Sequence, residues 1–444
     1  MTLDAVHEPA SGFPPGPKVP AALQTLLFAR RRTRWLDQVR HRYGDLFTVR
    51  IPPYADRMVV VSRPEHVRQV FAANASQVHA GEGNHVLAGL MGHHSVFVLD
   101  EDAHARIRKL MLPAFNGAAI RSYRQLVADI AIAEIATWDG LVLTHERMND
   151  LALELIVQVV FGVTDDACRL ELLPLLRQQA RIHPIVLAGL EHPRLQTLGP
   201  WRRFRMNESG INEILYEQIA ARRRCDDLAD RPDVLSRILA SGAGEEHAPL
   251  TDQEVRDQLV SLLLAGHETT ASALSWSLYE LAINPTLQDQ ARCAALDGDD
   301  RYIDAIFKEA LRAHVVISGA YRRLTTDMTF DHWQVPAGTY VTTSALLAHR
   351  STDTYPDPEV FRPQRFLDGG VPPNAWFPFG GGARRCVGAA FAQLEATVVL
   401  REVLARQELT AADAAPERHR LRNVTYVPAG GAPVIATALS EVHP

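Results

Sequence analysis

The segment from 252 to 284 constrains the fold more than any other part of the chain. Thr251 and Glu254 form a capping box, in which each side chain satisfies a backbone amide at the start of a helix, and Pro285 ends the run. These signals predict a helix of roughly 50 Å, since each residue adds about 1.5 Å. A helix of this length crosses a whole domain, so the remaining chain must pack around it.

Helical periodicity dominates the segments on both sides, and short strand patterns occur near the two ends of the chain. The fold class predicted from this order is mainly α with small β-sheets. The predicted strands lie at Leu46 to Val49, Met58 to Val61, and around 328–345 and 421–437. The other predicted helices are Pro64 to Ala73, 101–112, 117–138, 145–161, 206–223, 286–296, 302–313 and Ala389 to Arg401.

Composition excludes several classes of protein. Hydrophobic residues make up 47% and charged residues 22%, which is typical of a globular chain rather than a disordered one. The net charge of −6 gives nucleic-acid binding no global support. Short basic clusters such as Arg30 to Arg32 and Arg222 to Arg224 are interpreted as solvated faces.

The chain carries no secretory signal and no apolar run of about 18 residues, so no transmembrane anchor is expected. Four cysteines occur, none in a CxxC pair, at positions 168, 225, 293 and 386. This usage favours a reducing compartment, and we expect a cytoplasmic protein. Residues 1–20 are rich in proline and small residues, which predicts an extended N-terminal arm.

A glycine-rich segment from Phe379 to Gly388 leads into the last predicted helix. Cys386 lies beside arginine at that helix start, and these conditions predict a lowered thiol pKa. Glycines let the backbone pass close to a flat ligand and point amides at the sulfur. No second Cys or His stands nearby to complete a zinc site. A porphyrin, which supplies four nitrogens, removes that need.

This segment resembles the haem-binding loop of the cytochromes P450, F-x-x-G-x-R-x-C-x-G, in their bacterial type without an anchor. The fixed positions are filled by Phe379, Gly382, Arg384, Cys386 and Gly388. The resemblance implies haem b as cofactor, with Cys386 as the axial ligand of the iron. It also implies that Phe379, Gly380 and Gly388 lie against the cofactor.

A second match is Glu309-Ala310-Leu311-Arg312, which resembles the family's E-x-x-R helix. Glu and Arg three residues apart share a helix face and can pair. Pro363 to Phe366 resembles the family's P-E-R-F, although Gln364 replaces the usual Glu. The resemblance implies a structural triad of Glu309, Arg312 and Arg365 that holds the haem-loop side of the fold.

The centre of the long helix, Ala265 to Thr270, resembles the family's A/G-G-x-D/E-T-T pattern for oxygen activation. Gly266 is expected to leave room above the iron. A threonine hydroxyl can donate to a preceding carbonyl and bend the helix. The resemblance implies that Thr269 binds the iron-bound oxygen and that Glu268 relays protons.

Four further groups are assigned to the haem propionates by the resemblance. His104 and Arg108 are four residues apart and face the same way on a helix. Arg322 and Arg384 match two further positions of the family. Val315 and Val316 stand where the family often has prolines, which leaves the choice between Arg322 and Arg323 open.

The resemblance covers nearly the whole chain and implies one domain, residues 21–444, with the long helix over the haem. It overrules the two or three domains that length alone suggests. The implied reaction inserts one oxygen atom of O2 into a lipophilic small molecule. No GxGxxG unit for a nicotinamide cofactor is visible, so electrons must come from a ferredoxin and its reductase. These are expected to dock near Arg106, Lys109 and Arg385.

Five segments are expected to line an apolar pocket. The segments are Val86 to Val96, Ile182 to Leu190, Leu262 to Ala265, Val316 to Ala320, and Tyr426–Val427. A peroxide-using peroxygenase or haem isomerase keeps the same ligand but needs no intact acid–threonine pair. A haem-based gas sensor lacks a fused signalling module here. A zinc hydrolase is excluded, because HExxH requires His where Ala271 stands.

Overall fold

The long helix organises the whole computed structural model, which describes residues 10–439 except positions 164, 181, 183–185, 187–188, 191 and 242–247. It spans Asp252–Ile283 and is called the central helix below. The Glu254 amide donates to the Thr251 hydroxyl at 3.2 Å, and the Thr251 amide donates to the Glu254 carboxylate at 2.8 Å. The predicted cap is therefore correct, and the helix ends one residue before the predicted limit.

Helices make up most of the described chain, which confirms the predicted fold class. The Gly199–Arg223 helix begins seven residues earlier than predicted. Three other helices were not predicted: Ala21–Tyr43, Asp166–Ala180 and Val234–Ser241. The remaining α-helices among the described residues are Pro64–Ala72, Ala80–Gly83, Ala88–Met91, Glu101–Met111, Gly117–Ile135, Thr144–Leu155, Pro285–Asp297, Asp300–Ala313, Ala345–Ala348 and Ala389–Arg406. A π-helical turn, Ile156–Val160, extends Thr144–Leu155.

Five strands form the largest sheet, in the order Leu46–Ile51, Ala55–Val61, Tyr340–Ser344, Gly319–Leu324 and Val78–His79. Ala55–Val61 pairs in parallel with Tyr340–Ser344, and the other pairs are antiparallel. The predicted strand pair near 46–61 is correct. A second sheet has the order Gln407–Ala411, Pro433–Ala438 and Gly140–Leu143, and a hairpin joins His419–Arg422 to Thr425–Pro428.

The predicted N-terminal arm is partly attached to the fold. Residues 1–9 lie outside the described part of the chain. Ala10–Ser11 pairs in parallel with Trp333–Val335, which in turn pairs with Met328–Phe330. Further along, the Thr48 amide donates to the Pro15 carbonyl at 3.1 Å. The arm therefore adds to the edges of two sheets.

Two hydrophobic clusters hold the fold. The larger lies around the central helix and includes the Thr144–Leu155, Gly117–Ile135 and Ala389–Arg406 helices. The smaller lies between the five-stranded sheet and the Ala21–Tyr43 helix. Among the described helices, none combines the length and hydropathy needed to cross a bilayer.

Candidate functional site

The glycine-rich loop folds back on itself so that Cys386 lies at the start of the Ala389–Arg406 helix. The Cys386 amide donates to the Phe379 carbonyl at 2.9 Å. Gly380 and Gly382 take left-handed φ angles of +64° and +62°, which glycine adopts without strain. Phe379 is half-buried against the larger cluster, and there is open space where a side chain at Gly388 would lie.

Gly382 is required by a close backbone contact. A Cβ atom there would lie 1.9 Å from the Phe71 carbonyl oxygen. Gly382→Ala should therefore lower the free energy of unfolding by more than the roughly 1 kcal/mol of a left-handed non-glycine residue. Gly369→Ala is the matched control, since Gly369 has φ +68° and open space around it. Urea unfolding of both variants measures the difference; equal losses would show that the Phe71 contact does not matter.

Cys386 is exposed at the surface of the loop, yet the surrounding protein desolvates its thiol. A group in this situation lines an internal space. Its pKa is raised, because burial outweighs the amides of Gly388 and Ala389 and the guanidinium groups of Arg108 and Arg385, which all lower it. The predicted lowering was thus wrong in net direction. The amides and cations that favour the thiolate are nevertheless in place.

The middle of the central helix exposes one patch along an otherwise buried length. Leu264, Ala265, Gly266, Glu268 and Thr269 are all half-buried. The Thr269 hydroxyl donates to the Ala265 carbonyl at 2.6 Å. A side chain at Gly266 would meet only the tip of a neighbouring isoleucine, at 3.9 Å. This patch has both room and a reorientable hydroxyl.

Glu268 turns from this patch toward the hairpin His419–Pro428. Its Oε1 lies 3.1 Å from Nε of Arg422. Burial raises the pKa of Glu268, whereas Arg422, the Thr425 hydroxyl and Arg420 lower it. The net pKa of the Glu268 carboxyl is raised above its ordinary value, so it binds a proton more readily than an exposed glutamate does, which suits proton transfer.

His104, Arg108, Arg322 and Arg384 come together although they lie on three separate segments. Burial and the charges of the three arginines lower the pKa of His104 to about 4, so it is a neutral donor. Arg108 is half-buried, and burial lowers its pKa, while the nearby Cys386 opposes this.

Arg322 and Arg323 differ in burial and in their partners, and the assignment of either to a propionate stays a prediction. Arg322 is buried, and its Nη1 donates to the Tyr321 carbonyl at 2.8 Å. Within the described residues no carboxylate forms an ion pair with it, and burial lowers its pKa to about 10. Arg323 is exposed and pairs with Glu82 at the surface. Arg322 is therefore the inward cation.

Arg384 has a partner that the sequence did not indicate. Its guanidinium donates to the Asp100 carboxylate and to the carbonyls of Val96 and Leu99. Asp100 also accepts the Gly81 amide at 2.9 Å. Arg384 thus ties the cysteine loop to the start of the Glu101–Met111 helix. Its assignment to a propionate stays a prediction.

Glu309 and Arg312 form a fully buried bidentate pair. The distances from the Glu309 oxygens to Nε and Nη2 of Arg312 are 2.7 and 2.8 Å, with both side chains 0% exposed. Nε of Arg365 lies 3.3 Å from Oε1 of Glu309, and the Arg362 amide donates to the same oxygen at 2.8 Å. The other nitrogens of Arg365 donate to carbonyls of the 356–360 segment. The three side chains therefore join two distant segments.

The predicted pocket segments form two groups of contacts in the described part of the fold. Leu90, Ile182, Val186, Leu190 and Phe204 form an apolar cluster against Leu264 of the central helix. Positions 183–185 and 187–188 of the second segment lie outside the described residues. In the second group, Ile317 and Thr425 form an isolated β-bridge, and the Tyr426 amide donates to the Val316 carbonyl at 2.8 Å.

Comparisons with known proteins agree with this geometry. The profile described as cytochrome P450 matches residues 14–428. The putative cytochromes P450 135A1 and 135B1 of Mycobacterium tuberculosis are 49% and 38% identical, covering 95% and 97% of this chain and 94% and 93% of theirs. A solved retinoic acid-bound cyanobacterial CYP120A1 has the same fold, with a TM-score of 0.83, 23% identity and coverage of 97% and 99%. The chain therefore belongs to the cytochrome P450 family of haem-iron monooxygenases.

Proposed function

We propose that this protein is a haem-thiolate monooxygenase that uses O2 to oxidise a lipophilic small molecule, with Cys386 as the iron ligand. The observation that carries the proposal is the setting of Cys386: an accessible thiol in a desolvated space, with two amides and Arg108 directed at it. Haem iron, when bound, supplies the binding and reductive activation of O2. The chain's own residues hold the cofactor, move protons and orient the substrate.

The residues present fit haem b. Coordination to a metal deprotonates a thiol, and the amides of Gly388 and Ala389 stabilise the resulting charge. Arg322 is a buried cation in need of an anion, and Arg108 is a second such cation close to the thiol. His104 adds a neutral donor. Two propionates are the anions that this arrangement would accept.

Proton delivery is assigned to Thr269 and Glu268. Thr269 donates to Ala265, so its lone pairs are free to accept from a water or to bind a donor in the space beside Gly266. Glu268 exchanges protons between that patch and the hairpin that carries Arg422. An intact pair of this kind favours O2 activation over the use of peroxide.

The substrate is proposed to be lipophilic because the cluster of Leu90, Val186, Phe204 and Leu264 offers only apolar contacts.

Electrons are proposed to come from a ferredoxin and ferredoxin reductase. Arg385 is exposed beside the cysteine loop and suits an acidic partner. Arg106 suits it less than expected, since it pairs with Glu254 at 2.6 Å. A cytoplasmic location belongs to the same proposal and rests on the four unpaired cysteines.

The test is reconstitution with a ferredoxin, its reductase and NADPH under labelled dioxygen, with lipophilic compounds that perturb the haem spectrum. We expect one labelled oxygen atom in the product and no product without the ferredoxin. Product formation with peroxide alone, at a rate that the ferredoxin does not change, would favour a peroxygenase. Spectral binding without any oxygenated product across the panel would favour a gas sensor.

Arg422→Gln should raise the pKa of Glu268, because Arg422 stabilises its ionised form. The pH at which product per NADPH is half-maximal should therefore move upward. The charged groups that act on Glu268 are Arg422 and Arg420, and both also lower the pKa of His145. The infrared band of the protonated carboxyl, assigned with Glu268→Gln, measures the same pKa in the resting enzyme. Arg422→Lys should restore both values, and an unchanged pH midpoint in Arg422→Gln would contradict this role.

A further inference from the structure

An open cavity of about 640 Å³ lies between the Ala21–Tyr43 helix and the base of the hairpin His419–Pro428. It shares no lining residue with the cysteine loop or the central helix. We call it the arginine cavity after six residues that line it: Arg30, Arg31, Arg32, Arg34, Arg350 and Arg418. Apolar side chains, among them Val315, Leu346 and Leu421, complete the wall.

The path of the Ala21–Tyr43 helix explains why consecutive arginines face one space. Successive residues of a regular helix point about 100° apart, so six in a row would surround the helix. Here all residues from 29 to 34 line the cavity. The helix is interrupted at Arg31, where φ is −138° and ψ is 31°. At this interruption consecutive arginines line one open cavity. Arg30, Arg31 and Arg34 stay exposed, as the sequence indicated, and Arg32 is half-buried in the wall.

The positive charges of the arginine cavity are not compensated within the described chain. No carboxylate there forms an ion pair with any of the six arginines. Glu417 is the one acidic residue among the lining residues, and its oxygens accept backbone amides instead: those of Arg418 at 2.7 Å, Gly430 at 3.0 Å and Ala432 at 2.9 Å. Mutual repulsion of the guanidinium groups costs stability that a bound anion would recover.

Two neutral side chains hold Arg32 in the cavity wall. Arg32 donates to the Ser318 hydroxyl at 3.2 Å and lies over the Phe28 ring, which fixes its guanidinium. The Tyr426 hydroxyl is hydrogen-bonded to the Thr33 side chain and lies near Arg32 and Arg350. Tyr426 follows Thr425 in the strand, and successive side chains of a strand point to opposite faces. Thr425 contacts Glu268, so the hairpin separates the two sites.

We propose that the arginine cavity binds a phosphate-bearing anion, at a site separate from the haem and substrate sites. Arginine forks match phosphate oxygens in pairs, and several of them suit a ligand of more than one negative charge. The cavity volume is that of a small-molecule site. The phosphate can belong to a free diphosphate or to a phospholipid headgroup. Val19, Leu23 and Leu26, which are exposed just before the arginines, offer contacts for the second source.

Thermal unfolding of the haem-loaded protein, titrated with inorganic pyrophosphate at constant ionic strength, tests the site. We expect a saturable rise in Tm. The double variant Arg31→Gln/Arg350→Gln should bind pyrophosphate about a hundredfold more weakly, since each lost charged hydrogen bond is worth about tenfold. Arg301→Gln removes an exposed arginine outside the cavity and should leave the titration unchanged.

Co-sedimentation with vesicles separates the two sources of phosphate. Binding to phosphatidylglycerol vesicles but not to phosphatidylcholine vesicles, lost in the double variant and displaced by pyrophosphate, identifies a headgroup site. A pyrophosphate response without vesicle binding identifies a free anion. The proposal is overturned if neither ligand binds. It is also overturned if the double variant responds to pyrophosphate as the wild type and Arg301→Gln do. That last result would mean screening of charge rather than a site.

Discussion

Replacing Glu309 with glutamine should lower the free energy of unfolding by about 3–5 kcal/mol, the cost of removing one partner of a buried ion pair. Glu309 and Arg312 are both 0% exposed, so the variant leaves a guanidinium charge in the interior without its counter-ion. Arg365 and the Arg362 amide share the Oε1 acceptor of Glu309, and the carboxamide oxygen of glutamine can replace it only without its negative charge. Urea unfolding followed by circular dichroism measures the loss, and haem content is expected to fall with it.

An exposed ion pair gives the matched control for Glu309. Arg50 and Asp56 lie 2.9 Å apart with side chains 53% and 76% exposed. Asp56→Asn should change the free energy of unfolding by about 0–1 kcal/mol, because water solvates both groups in either state. If Glu309→Gln were as mild as this control, the triad would not be what holds the 356–365 segment to its helix.

Replacing Thr269 with alanine should reduce product formation by about 10²–10⁴-fold, the usual contribution of a positioned proton-transfer group. The rate of electron transfer to the protein and the affinity for substrate should change little. The reason is that the hydroxyl donates to Ala265 and lies beside the open space at Gly266, away from the apolar cluster. NADPH consumption should therefore continue without matching product. Product yield per NADPH, measured beside a spectral titration of substrate affinity, separates these effects.

Thr269→Ser keeps the hydroxyl and should restore most of the product yield. Thr270 is the neighbouring control: it is buried, whereas Thr269 lies on the half-buried patch. Thr270→Ala should leave the yield per NADPH near that of the wild type. Equal losses in both alanine variants would indicate damage to the helix rather than loss of a proton-transfer group.

Local patterns predicted what short stretches of sequence determine. The cap of Thr251 and Glu254, the strand pair near 46–61 and the Glu309–Arg312 pair all depend on residues a few positions apart. The loop around Cys386 was placed correctly at a helix start for the same reason.

Long-range partners could not be predicted in this way. Arg384 meets Asp100 across 284 residues, and Glu268 meets Arg422 from a separate hairpin. No periodicity links such pairs. Whether the pKa of Cys386 is raised or lowered depends on how much protein surrounds the thiol, and the spacing of residues in the sequence does not reveal this. The convergence of Arg30 to Arg34 on one open cavity follows from one irregular residue, Arg31, that no composition signal marks.

The central claim is that Cys386 ligates haem iron as a thiolate, and the most direct measurement is the absorption spectrum of the purified protein, reduced and exposed to carbon monoxide. The account predicts that the main band moves to the long wavelength from which the family takes its name, and that Cys386→Ser loses this band. A correctly folded protein that contains no haem, or whose band stays where histidine- or thiol-ligated haem absorbs, would contradict it.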